Sequence, residues 1–525
     1  QRGLPPQVRY LFKHALIQDA AYQSLLKSKR QQCHQQIAQV LEERFPETKE
    51  TQPELLAHHY TEARLIAQAI PYWQQAGQKA IRRSANVEAI NHLTKGIELL
   101  KALPDTPERT QQELTLQIAL GVPLGITKGY ASPEAGTVYD RARELCQQIG
   151  ETPQLCPVLW ALWHFYHVRA ELQLARDLGE QLLLLAQRYQ DRDFLLQAHH
   201  ALWTTLIFLG EFTLAHEHLE RGLTLYDPQQ HRSHALLYGG HDPGVCCRTQ
   251  GAWVLWFLGY PDQALKSSQE AIILAQELSQ PYSLAIALEV ITMIHQFRQE
   301  VEAAQERAEA ALAFSREQGF PVFSALGTLY RGWALAEQGQ GEEGIAQLRQ
   351  GLAAYRVTGA ELGVPYQLAR LAEVYGRTGQ AKEGLSVLAE ALAVADKSGE
   401  RRWAAELYRL KGQLTLQSRQ VEDKSRTSLG QVEGKSEVTN TQHPAPNPQA
   451  EAEAEACFLK AIDIARRQSA KSLELRAVMS LSRLWQQQGK QEEARRMLAE
   501  IYGWFTEGFD TADLKEARAL LAELA

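Results

Sequence analysis

Cysteine is scarce in this sequence, with six in 525 residues, at positions 33, 146, 156, 246, 247 and 457. A set so sparse and irregular builds no disulfide framework and fits a reducing compartment. Long apolar runs are missing as well. The longest, residues 252–258, falls far short of the ~20 residues of a membrane helix, and the opening residues lack the charged-then-apolar order of a secretory signal. Charge of one sign is not in excess: 55 Lys and Arg against 62 Asp and Glu leave a formal net charge of −7. That balance, with no local basic stripe, gives no pull toward nucleic acid or anionic lipid. The reading at this point is a cytoplasmic chain whose partners include neither nucleic acid nor membrane.

Signatures of catalysis are lacking too. A P-loop needs Gly, four residues, then Gly-Lys-Ser/Thr, so that backbone amides surround the phosphates. Only residues 430–436, GQVEGKS, come near, one residue short and inside a polar insert. The paired histidines, His58 with His59, His164 with His167 and His199 with His200, have no Ser, Cys or carboxylate beside them in a nucleophile arrangement, so solvent or groove positions are expected. The chain is read as no enzyme in itself and as needing no cofactor.

What is abundant is Ala, Leu, Gln, Glu and Arg, the material of helices with long polar side chains outside. A single core stops growing near ~250 to 300 residues, so a chain of this length forms several domains or one elongated array. A ruler favours the array. It takes a residue in the turn between two helices, then asks for small residues five and twelve positions on, both facing the same neighbour about two helical turns apart.

The ruler fits Ser84 (Ala89, Gly96), Tyr130 (Ala135, Ala142), Gly210 (Ala215, Gly222), Gly259 (Ala264, Ala271) and Arg298 (Ala303, Ala310). It continues at Gly339 (Gly344, Gly351), Gly379 (Gly384, Ala391) and Gln449 (Ala454, Ala461), with partial members at Ala170 and Gly489. The anchors recur about every 40 residues, the mark of stacked helix hairpins. The expected fold is therefore all-α, a right-handed superhelical solenoid of about ten tetratricopeptide-like hairpins, closed by a capping helix near residues 511–524. Residues 1–46 read as a separate opening segment and 47–417 as the array. Residues 418–449, rich in Ser, Lys, Glu, Asn and Pro, read as a flexible insert inside one repeat, and 450–525 as the last repeats.

The opening stretch RYLFKHALIQDAAYQSLLKSKRQQCHQQIAQVLEERFP, residues 9–46, resembles the segment that follows the ATPase module in signal-transduction ATPases with numerous domains, where a winged-helix element leads into repeats. The matching positions are Phe12, His14, Tyr22, Leu25, Arg30, His34 and Ala38. Further on, PELLAHHYTEA (from Pro53), KGYASPEAGTVYDRARELC (from Lys128), GGHDPGVCC (from Gly239), LWFLGYPDQAL (from Leu255) and RRWAAELYRLKGQLTL (from Arg401) are similar to one bacterial subgroup. Its proteins join a class III adenylate or guanylate cyclase domain, an ATPase module and tetratricopeptide-like repeats. The resemblance implies a C-terminal piece of a longer signalling protein, contacting an ATPase module absent from this chain, and it makes His14 a candidate ATPase contact. A free-standing adaptor is the alternative.

Two sets of residues are candidates for sites. Trp163, Trp203, Trp253, Trp256 and Trp333 fall shortly before the turns, late in first helices, which line the concave face of such arrays. They are expected either as anchors for a protein or peptide partner in that groove or as core filling. His231, His234, His241, Cys246 and Cys247 offer ligand types that zinc prefers, but in no zinc spacing. The reading is a packed turn leading into a helix, with a zinc-dependent enzyme as the remaining alternative. Glu342 with Glu343 and Glu492 with Glu493 suit helix starts, where the dipole favours acids.

Overall fold

The computed structural model describes residues 15–149, 153, 155–231, 234, 238–430 and 448–525; of residues 15–18 and 420–430 only the backbone is described. His14 and most of the GQVEGKS stretch lie outside the described residues. No strand occurs among them. Ten helix hairpins follow one another: Ile66–Arg82 with Asn86–Leu100, Pro107–Lys128 with Pro133–Ile149, Leu155–Val168 with Leu172–Tyr189, Arg192–Leu209 with Phe212–Leu225, and Pro243–Leu258 with Pro261–Glu277. The other five are Pro281–Phe297 with Val301–Gln318, Pro321–Glu337 with Gly341–Val357, Val364–Arg377 with Ala381–Ser398, Ala404–Gly430 with Pro448–Arg467, and Lys471–Gln487 with Gln491–Tyr502. Ala512–Glu523 caps the series. The described residues are thus all-α and built of tetratricopeptide-like helix hairpins.

The turns explain why the ruler works. Ser84, Ala170, Gly210, Gly259, Gly339, Gly379 and Gly489 all have left-handed backbone, with φ from 58° at Ser84 to 94° at Gly259. The next residue then donates its N–H to a carbonyl five positions back, as in Ala85 to Ala80 (3.0 Å), Glu211 to Leu206 (2.9 Å) and Lys490 to Trp485 (2.9 Å). This closes the first helix and turns the chain into the second. Two anchors are off by one. At Tyr130 the left-handed residue is Gly129, and at Arg298 it is Gln299, so the small pair there is not Ala303 and Ala310 but Ala304 and Ala311, both buried. Gln449 lies within a helix and has no such turn.

The small residues set the helix separation. A Cβ at Gly344 would come within 2.7 Å of the Gly332 carbonyl oxygen, and one at Gly351 within 3.0 Å of the Ala325 carbonyl oxygen. Backbone meets backbone at these points, and no larger side chain fits. Pro opens several first helices at its favoured N-terminal position, as at Pro243, Pro281 and Pro321. The acidic pairs Glu342/Glu343 and Glu492/Glu493 sit in first turns as expected. One element runs longer than expected: the helix from Ala404 continues to Gly430, into the stretch read as a flexible insert, because Gln, Arg, Glu, Asp and Lys there carry no breaker before Gly430.

Two compact units form, residues 1–123 with 141–150 and residues 124–140 with 151–525. In the first, Ala38, Leu56, Ala57, Tyr60, Ala69 and Trp73 make the core. Several positions of the opening resemblance meet there: the Tyr22 hydroxyl bonds His34 Nε2 at 3.0 Å, the Arg30 guanidinium lies 5.2 Å from the Tyr22 ring centre, and Ala38 is fully buried. The Glu42 carboxylate accepts from both Tyr60 and Tyr72 hydroxyls.

In the second unit first helices meet not only their neighbours but also repeats far along the chain. Glu361 N–H donates to the Val168 carbonyl (3.0 Å) and Arg401 N–H to the Phe208 carbonyl (2.8 Å). The Ser472 hydroxyl donates to the Trp256 carbonyl (2.5 Å), and Arg476 Nη2 to the Phe297 carbonyl (2.7 Å). Each acceptor belongs to the last turn of a first helix, whose carbonyls have no partner within the helix. Aromatic rings fill the space between: Trp256, Phe257, Phe297, Tyr366 and Trp403 form one buried group, with Tyr366 stacked on Trp403 at 4.5 Å.

Candidate functional site

Beside that aromatic centre, the second unit has a polar cleft of about 310 Å³. Its walls are first helices of successive repeats. Val364–Arg377 brings Arg370, Glu373 and Arg377; Ala404–Gly430 brings Glu406, Arg409, Gln413 and Gln417; Lys471–Gln487 brings Arg476, Ser480 and Arg483. The capping helix adds Asp513 and Glu516, and Trp333, Gln296 and Gln299 close the remaining side. Arg370 with Arg377 and Arg476 with Arg483 stand two turns apart on their helices, so each pair faces one way.

The inner charges hold one another. Glu406, 1% exposed, accepts from Arg409 Nε and Nη2 at 2.7 Å each and from Arg370 Nη2 at 3.2 Å. Burial alone would raise this carboxyl, but Arg409, then Arg476 and Arg370, hold it far below the usual carboxylate range. Asp513 accepts from Arg476 Nε at 2.8 Å and from Gln299 at 2.8 Å; there burial outweighs the arginine and raises the carboxyl. The outer charges are different. Arg377 and Arg483 have side chains 45% and 39% exposed, and their partners are Glu337 and Glu373, and Glu516.

The five tryptophans take other places. All are buried, from Trp203 at 0% exposure to Trp253 at 9%, and none presents its ring to solvent as a partner anchor. The inner wall of the array is where distant repeats meet, so an aromatic there is covered by later first helices. Trp163 donates to Thr205 Oγ1 at 2.8 Å, Trp203 stacks on His200, Trp253 lies 4.9 Å from the Arg402 guanidinium, and Trp256 packs on Phe297 and Trp403. Only Trp333 borders the cleft. Sequence reasoning passed over the arginines, although a signal was there. An Arg-six residues-Arg spacing recurs in two first helices, at Arg370/Arg377 and Arg476/Arg483, and at Arg402/Arg409, where Arg402 lies in the turn just before the helix Ala404–Gly430.

The histidines divide into satisfied and unsatisfied sets. His231 accepts the Asp227 N–H at Nδ1 (2.8 Å) and bonds Asp193 through Nε2 (3.0 Å). His234 bonds Gln197 (2.9 Å) and approaches the other Asp193 oxygen (3.4 Å), so these two form a clasp under the long connection before Pro243. His241, Cys246 and His200 come together instead a short way off. Cys247 points away, its thiol donating to the Leu219 carbonyl at 3.4 Å. Of the paired histidines, His167, His199 and His200 are buried rather than at solvent, since they lie on the packed faces of their first helices.

No family model matches the chain. It is 25% identical over 422 residues to an uncharacterized protein of Rhizobium meliloti (strain 1021), which covers 80% of this chain and 41% of that relative; the chain thus spans less than half of the relative's length. Among solved structures it is similar to a Rap protein complexed with competence and sporulation factor (TM-score 0.46, 12% identity, 82% of this chain and 99% of that one). It is also similar to the apo quorum sensor NprR from B. thuringiensis (0.43, 12%, 76% and 99%) and to Cut9 with Hcn1 of the APC/C (0.42, 12%, 97% and 98%). At such identities and scores the similarity is one of helical repeats and says nothing of a ligand.

Proposed function

We propose that the chain is a non-catalytic recognition module whose cleft takes an extended protein or peptide segment bearing a carboxylate. The observation that carries this reading is the contrast between locked and exchangeable arginines in one cleft. Arg370, Arg409 and Arg476 are buried in fixed pairs, so they shape the floor. Arg377 and Arg483 stand at the rim with side chains 45% and 39% exposed; the Arg483–Glu516 pair is of a surface kind worth roughly 0 to 1 kcal/mol, cheap to exchange for a ligand carboxylate, whereas Arg377 leans on the more buried Glu337 and Glu373. Gln413 and Gln417 offer amide groups that match a peptide backbone. Peptides selected from a displayed random library on the purified chain are expected to be rich in acidic residues. Arg377→Glu with Arg483→Glu is expected to weaken them at least ~10-fold, as loss of a charged hydrogen bond implies. Equal binding by the double variant would overturn the reading.

The wider role we propose is regulatory: the module contacts an ATPase module and governs a nucleotide cyclase in a longer protein. The sequence resemblance supports it, and the length of the rhizobial relative leaves room for such domains. The reading frame upstream of Gln1 tests it, since a P-loop there is expected and an adaptor without one would remove the proposal.

A further inference from the structure

We infer that His200, His241 and Cys246 form a zinc site in the second unit, pinning the long connection before Pro243 to the helix Arg192–Leu209. The three ligand atoms lie within 4.8 Å of one another, and the residues are only 2%, 6% and 3% exposed. Among the described residues His200 Nδ1 and His241 Nε2 have no hydrogen-bond partner. Buried imidazole nitrogens left bare are costly, and nearly all buried polar groups find a partner. The second nitrogen of His241 is already used: Nδ1 lies 3.0 Å from the Gly239 carbonyl. That bond places the proton on Nδ1 and leaves the Nε2 lone pair facing the cluster, as in metal-ligating histidines oriented through a backbone carbonyl.

The local backbone is built for this placement. Gly239 and Gly240 are left-handed, at φ 71° and 75°, and a Cβ on Gly239 would meet Trp160 at 2.6 Å and the His241 ring at 2.7 Å. The chain therefore turns tightly enough to bring His241 under Trp160, whose ring lies 5.8 Å from His200 and 5.9 Å from His241. Asp242 then opens the next helix, accepting from Gly244 N (2.8 Å) and Val245 N (3.0 Å), which fixes Cys246 in its first turn. His164 stands near, its ring 6.1 Å from that of His241 and its Nδ1 also without a partner among the described residues, but it is not one of the three residues whose ligand atoms converge.

Two imidazoles and a thiol suit zinc, a borderline-soft ion, and not magnesium or calcium, which seek oxygen. Binding forms a zinc–sulfur bond as the Cys246 thiol gives its proton to solvent. The neighbouring Asp193, His231 and His234 do not compete, because the nitrogens of both imidazoles are already engaged, His231 with Asp227 and Asp193 and His234 with Gln197 and Asp193. Sequence spacing could not show the site, since His200 comes from an earlier repeat.

The test uses the full chain, stripped of metal and then given zinc or cobalt(II). Zinc retained one-to-one through dialysis and a sulfur-to-cobalt charge-transfer band are expected, the band lost in Cys246→Ser and kept in Cys247→Ser. No retained metal, a band that survives Cys246→Ser, or one lost only in Cys247→Ser overturns the proposal. If Cys246→Ser fails to fold, zinc X-ray absorption on the unaltered chain decides: a sulfur neighbour at about 2.3 Å supports the site and a shell of light atoms alone sinks it.

Discussion

Glu289 sits on the helix Pro281–Phe297 with its carboxylate buried, accepting the Tyr330 hydroxyl at 2.6 Å. Burial pushes its pKa up to about 7, more than the hydrogen bond lowers it. Because the folded value lies above the unfolded one, the folded state binds the extra proton between about pH 4.5 and 7, so stability falls as pH rises through that window. The loss at neutral pH is roughly 3 kcal/mol at most. Glu289→Gln is expected to flatten the slope of urea-unfolding free energy over this range, and an unchanged slope would contradict the assignment. His59, whose Nδ1 lies 2.8 Å from His34 Nδ1, acts with the opposite sign. Burial holds it down at about 4, so its share of stability is present above about pH 6.5 and is lost as pH falls. At this scale the sequence was legible in kind and not in place. Spacing leaves Trp256 open as anchor or core, and it gives no sign of the packing on Phe297 and Trp403; Trp256→Ala is expected to cost ~3 to 5 kcal/mol in chemical denaturation.

The unit of construction is the hairpin, and its turn residue separates two kinds of cost. Around Gly379, at φ 78°, a Cβ would meet nothing within 4 Å. Gly379→Ala therefore isolates the backbone penalty, about 1 kcal/mol, with no clash to confuse it. Ala170 holds the same conformation with a Cβ, at φ 59°, so Ala170→Gly is expected to gain up to about 1 kcal/mol, less the entropy glycine brings to the unfolded chain. Thermal unfolding of the two variants checks both signs. Gly344→Val, in contrast, meets backbone and is expected to separate the helices Pro321–Glu337 and Gly341–Val357. Hairpins were the most legible feature of the sequence because glycine marks most of their turns. The register slipped at Arg298 for the same reason: Arg298 and Gln299 are both ordinary residues, and nothing in their chemistry says which takes the left-handed position.

Across the whole second unit, the links from Arg401 to Phe208, Ser472 to Trp256 and Arg476 to Phe297 join repeats that the periodicity alone treats as strangers. Arg476→Ala is expected to cost ~3 to 5 kcal/mol, since it leaves Asp513 buried without its cation and the Phe297 carbonyl without its donor. Adding Asp513→Asn should recover part of that, as a double-mutant cycle in urea would register. A repeat ruler sees only neighbours, so these links could not be read from spacing, and of the cleft only the recurring arginine pairs were visible. They also bear on how the chain acquires its structure. An open array folds from any point by local steps, whereas here the Phe208 carbonyl waits for a segment nearly two hundred positions later to be synthesised. Until then the faces around Trp256 and Phe257 stay uncovered, and a growing chain in that condition is a natural client for a chaperone.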